Sequence, residues 1–124
     1  MENQTFNLLT ATGTITNKSE NQDAHIELEN SIIVADGLGS LSFAGVASQI
    51  VVQSINAELL NNFGKSERTD FKQIFENAKS KLISQASETN NDPNHYGTTA
   101  IVALVKQEEL EIAYAGNGAI WHIK

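Results

Sequence analysis

The sequence predicts an α+β domain, an antiparallel sheet with helices laid on it, and three observations carry that expectation. Two stretches with apolar residues at helical spacing occupy the middle of the chain, β-branched runs flank them on both sides, and the C-terminal runs are joined by turns short enough for hairpins. With 124 residues the chain is one domain or part of one, long enough to bury a single core.

Phe6 to Ile15 mixes apolar residues with threonine in an extended pattern, Thr16 to Asn21 is a polar loop, and His25 to Leu28 is a second short extended piece. Ser31 to Asp36 is the third, and by composition the most buried. After it Val46, Ile50, Val51, Ile55 and Leu59 recur at helical spacing, with Gly64 as the stop. A second helix opens near Thr69 or Asp70, where Phe71, Ile74, Phe75, Ala78 and Leu82 form a stripe opposite Lys72, Glu76, Lys79 and Lys81. The two helices are expected to pack side by side. Ser87 to Tyr96 is a polar loop holding the single proline.

From Gly97 the period changes to two. Thr98 to Val105, Leu110 to Ala115 and Ala119 to Ile123 read as three consecutive strands of an antiparallel meander, turned at Lys106 to Glu109 and at Gly116-Asn117-Gly118. The chain stops at Lys124, directly after a strand, which predicts a sheet left incomplete at its C-terminus, with an edge free to pair.

A net charge of −7 with no basic stripe argues against a nucleic-acid partner. There is no cysteine, so disulfides, thiolate metal sites and thiol catalysis are excluded, and any metal must take oxygen or histidine ligands. No stretch approaches the roughly 18 apolar residues of a membrane span, and the polar start lacks a signal pattern. The expectation is a cytoplasmic protein without a membrane partner.

Asp36 is the most informative residue. A carboxylate at the tip of an apolar strand, followed at once by Gly37-Leu38-Gly39, is fixed in position, and glycine lets carbonyls and a ligand approach closely. Hard cations are held by such groups. The same step also reads as an ordinary turn in which Asp36 accepts backbone N–H bonds. His25, His95 and His122 show no ligand spacing, and Trp121 and Tyr114 read as packing residues.

Four segments in order, Asn21-Gln22-Asp23-Ala24, Val34-Ala35-Asp36-Gly37-Leu38-Gly39, Gly97-Thr98-Thr99-Ala100 and Ala115-Gly116-Asn117-Gly118, resemble the metal-dependent serine/threonine protein phosphatases of type 2C. Ala44 to Gln49 looks like that family's first helix, so the likeness runs over essentially the whole chain, which is then the N-terminal portion of a type 2C phosphatase-like domain over residues 1–124. The resemblance implies an antiparallel β-sandwich flanked by helices. It also implies two Mg²⁺ or Mn²⁺ ions that activate a water toward phosphoserine or phosphothreonine, a mechanism needing no protein nucleophile.

Residue by residue, the resemblance makes Asp36 the bridging metal ligand and Gly37 a carbonyl ligand, and puts Gln22 and Asp23 in the metal-binding motif. Lys18 stands where the family carries a phosphate-gripping arginine, and supplies a point charge without the bidentate fork. Gln22 replaces a glutamate, Ser40 a glycine, Asn117 an aspartate and Ala119 an arginine, while Leu38 stands where some members have histidine. The family's further metal-binding aspartates come from beyond this length of chain. The implied partners are a phosphoprotein substrate and a cognate protein kinase. Two other readings stay open: a non-catalytic phosphatase-like domain that binds a phosphoprotein, and a half-domain that self-associates.

Overall fold

The computed structural model describes residue 13 and residues 21–65, 67–106, 109–116 and 118–119. In chain order these form β1 (Asp23–Glu27), β2 (Ser31–Asp36), α1 (Ala44–Asn61), α2 (Phe71–Glu88), a 3₁₀ turn at Pro93–His95, β3 (Ala100–Lys106) and β4 (Glu109–Ala115). The strands expected over Phe6 to Ile15 and Ala119 to Ile123 fall almost entirely outside the described residues.

The strands lie in the order β1-β2-β3-β4, every neighbouring pair antiparallel. Because side chains alternate along a strand, the registers fix two faces. Ala24, Ile33, Ala35, Ala100, Val102 and Leu104 lie on one face and are buried with Val51, Val52, Ile55, Leu59, Ile74 and Ala78 of the helices. Helix α1 rests on β1 and β2, and α2 packs beside α1.

The opposite face carries Ile32 and Val34 of β2, Ile101, Ala103 and Val105 of β3, and Leu110, Ile112 and Tyr114 of β4. Val34, Leu110, Ile112 and Tyr114 are exposed there, Tyr114 at 71%. The described residues thus build one sheet and its helical layer, with the second face apolar.

Local chemistry sets the helix ends. The Asp70 carboxylate accepts from the Gln73 amide at 3.1 Å and caps α2, in line with the expected opening. Thr89 closes α2, its hydroxyl donating to the Gln85 carbonyl at 2.8 Å. The helix therefore runs to Glu88, past the Ser87 at which the loop was expected to start. α1 ends at Asn61, and Gly64 beyond it adopts φ +84°, the left-handed conformation that glycine tolerates. Among the described residues no helix is long and apolar enough to cross a membrane.

Candidate metal centre

The end of β2 places Asp36 on the sheet face away from the helices, in line with Ile32 and Val34, and the side chain is exposed. Asp23, the first residue of β1, is its direct cross-strand partner. Two carboxylates from different strands therefore stand side by side on one face, at Cβ separations of roughly 4.5–5.5 Å for such pairs. Like charges so placed repel, and a divalent cation relieves the repulsion while taking oxygen ligands. The Asp23 amide donates to Asn21 Oδ1 at 3.0 Å, which fixes the entry into β1.

The backbone around Asp36 is held from both sides. The Gly37 amide donates to the Gln22 carbonyl at 3.0 Å, joining two of the expected site residues through the main chain. On the β3 side, the Leu38 amide donates to the Gly97 carbonyl at 3.0 Å and the Thr99 amide to the Asp36 carbonyl at 2.9 Å. These bonds flank Gly37, which pairs with Thr98 as an isolated bridge, so the Gly37 carbonyl takes no part in them.

Gly37 is glycine for a reason the sequence did not give. A Cβ there would lie 2.5 Å from the Ala44 carbonyl oxygen and 2.7 Å from that of Gln22. The missing side chain makes room for the first residue of α1 and for the chain entering β1, both of them protein backbone. Gly116, at φ +89°, follows β4 with a Cβ position 2.8 Å from a Thr99 methyl, so the hairpin end also closes on this region.

A second support comes from the loops beyond the strand tips. The Phe43 amide donates to the His95 carbonyl at 3.0 Å, and the Phe43 ring stacks on Tyr96 at 4.8 Å between centroids. The Tyr96 hydroxyl meets Thr89 Oγ1 and Asn91 Nδ2, each at 3.2 Å. An apolar groove of about 470 Å³ on the helical face, lined by Val51, Phe75, Leu82 and Ala100, extends to Gly97 and Thr98, the segment that pairs with the Gly37 turn.

The structure thus sets Asp23 opposite Asp36 and joins Gly37 to Gln22 through the main chain. Lys18 and Asn117 lie outside the described residues, and Ala119 carries no strand. Among the described residues no group of three or more histidine or acidic side chains converges as a metal cage. Thr99, quoted above within a motif segment but given no role at the site, has a hydroxyl that accepts from the Asp36 amide at 3.0 Å. The signal available for it was a hydroxyl side chain at a strand start.

The family model described as protein phosphatase 2C matches residues 10–124. Among solved structures, the PPM Ser-Thr phosphatase MsPP of Mycobacterium smegmatis, in complex with cacodylate, superposes with a TM-score of 0.65 at 20% identity, covering 81% of this chain and 41% of that one. The serine/threonine phosphatase PstP/Ppp of Mycobacterium tuberculosis gives a TM-score of 0.65 at 22% identity, over 82% of this chain and 43% of that one. The chain therefore spans about two fifths of the length of these structural relatives. No curated protein matches it.

Proposed function

From the premise that this chain belongs to the protein phosphatase 2C family, we propose that residues 1–124 form the N-terminal portion of a domain that removes phosphate from phosphoserine or phosphothreonine with two Mg²⁺ or Mn²⁺ ions. The observation that carries the reading is the cross-strand pair of Asp23 and Asp36 beside Gly37. Two carboxylates on adjacent strands with a backbone carbonyl next to them are the oxygen donors a hard divalent cation prefers. They fit such an ion.

Bound there, divalent cations lower the pKa of a water and neutralise phosphate charge. Asp36 and the Gly37 carbonyl would hold the ions, Asp23 would add a second carboxylate, and Gln22 would orient water without adding charge. Lys18 draws the substrate phosphate as a point charge. The partners in this reading are a phosphoprotein substrate and the protein kinase that opposes it, in the cytoplasm.

Calorimetry with Mn²⁺ on the chain and on Asp36→Asn tests the assignment. The variant should lose affinity by more than the roughly 10–100-fold typical of removing an outer-shell partner. Equal binding by the two would remove Asp36 from the site. A longer protein carrying this segment should dephosphorylate a phosphoserine peptide with Mn²⁺ and stop on addition of EDTA.

One observation favours a second property, self-association. The face of Val34, Ile112, Leu110 and Tyr114 is apolar and exposed, and soluble monomers seldom leave so contiguous a patch open. Sedimentation of the 124-residue chain at several concentrations should show association that Ile112→Lys reduces. A monodisperse monomer throughout would refute it.

A further inference from the structure

We propose that Thr99 is a positioning residue for Asp36, its hydroxyl standing in for a strand carbonyl. The inference rests on the reading of Asp36 as a metal ligand and extends it to a residue that touches no ion.

The hydrogen-bond pattern between β2 and the chain leading into β3 is the starting point. Val34 pairs with Ile101, so the same register brings Asp36 opposite Thr99. In an antiparallel ladder such a hydrogen-bonded pair exchanges both backbone bonds, each N–H donating to the other's carbonyl. One bond is made as expected, from the Thr99 amide to the Asp36 carbonyl at 2.9 Å. The return bond is not of that kind: the Asp36 amide donates to Thr99 Oγ1 at 3.0 Å. The carbonyl the ladder would have used instead accepts from Thr98 Oγ1 at 2.9 Å.

The exchange has a chemical requirement. A hydroxyl has one donor and two acceptor lone pairs, so Thr99 Oγ1 can take the Asp36 amide and still face the Asp36 carbonyl, which lies 3.4 Å away. Both main-chain polar groups of Asp36 then terminate on one residue, at the point where β2 stops and the Gly37 turn begins. Thr99 is itself only 8% exposed, so solvent is a poor substitute for its hydroxyl. The direction of the Asp36 carboxylate follows from this backbone, since the side chain leaves a Cα pinned on both sides. Across 63 residues of sequence, the hydroxyl sets where a ligand oxygen stands.

Three variants of the full-length protein test the role. Thr99→Val keeps the shape and removes the hydroxyl, Thr99→Ser keeps the hydroxyl and removes the methyl, and Val102→Ala, in the strand that follows Thr99, is a fold-weakening control. Calorimetric Mn²⁺ affinity and NMR hydrogen exchange of the Asp36 amide are the readouts. Thr99→Val should bind Mn²⁺ roughly 10–100-fold more weakly, the range for lost outer-shell support, with a faster-exchanging Asp36 amide. Thr99→Ser should restore both, and Val102→Ala should leave Mn²⁺ affinity at the wild-type value despite a lower melting temperature.

Wild-type affinity in Thr99→Val, or no rescue by serine, overturns the role while leaving Asp36 a ligand. Equal weakening by Val102→Ala reduces Thr99 to general stability and also overturns it. A wild-type protein that takes up no Mn²⁺ overturns the metal reading and this inference together.

Discussion

Gly37→Ala is expected to cost the fold about 3 kcal/mol, the upper end of ordinary overpacking. The added methyl would sit 2.5 Å from the Ala44 carbonyl oxygen, 2.7 Å from its carbon and 2.7 Å from the Gln22 carbonyl oxygen. All three are main-chain atoms, so no rotamer change clears the space. Relief requires moving the first turn of α1 or the start of β1, and the latter breaks the bond from the Gly37 amide to Gln22. Denaturant unfolding should show a lower midpoint with an unchanged slope. Stability within about 0.5 kcal/mol of wild type, the range of an ordinary surface substitution, would mean that the close approach is softer than its geometry.

Ile33→Ala should be the other severe change, at about 2–5 kcal/mol. Ile33 is fully buried in the middle of β2, on the helical face, paired with Ile26 and Val102. Removing three carbons there leaves a cavity that a sheet held on both sides cannot close. Set against the 5–15 kcal/mol typical of a domain, the loss is a large share, and a fall of roughly 8–20 °C in melting temperature is the corresponding signal. Ile112→Ala, on the open face, should move it far less. Equal shifts in the two variants would contradict the two-faced reading of the sheet.

The strand over Ser31–Asp36 was legible because an unbroken apolar run bounded by asparagine and glycine has few other readings. The second helix was legible for a similar reason: its stripe of Phe71, Ile74, Phe75, Ala78 and Leu82 faces the core, with Ile74 and Ala78 fully buried. The first helix was also legible, since Val51, Ile55 and Leu59 of its stripe are buried, but its N-terminal end was not. Val46, taken as part of its buried stripe, is 39% exposed, whereas Ala44, Ala47, Ser48 and Ser54 are buried. Small residues let a helix lie close to a sheet and carry little hydrophobic signal, so periodicity underweights them. The facing of Asp23 and Asp36 was hidden because it depends on the register of the β1–β2 hairpin. The Thr99 hydroxyl was hidden because a local pattern cannot show which partner a strand start meets.

Asp36 and Thr99 meet only after both helices have intervened, and that separation sets an order of events. Pairing β2 with β3 closes a long loop, whose entropy must be spent before any contact returns it, and non-local pairings of this kind slow folding. A chain emerging from the ribosome can form the β1–β2 hairpin and bring Asp23 opposite Asp36 early. It cannot frame Asp36 until residue 99 has been made and docked. An incompletely synthesised or partly unfolded copy would carry the carboxylate pair without its brace, so slow exchange of the Asp36 amide would report that synthesis and folding had passed that point.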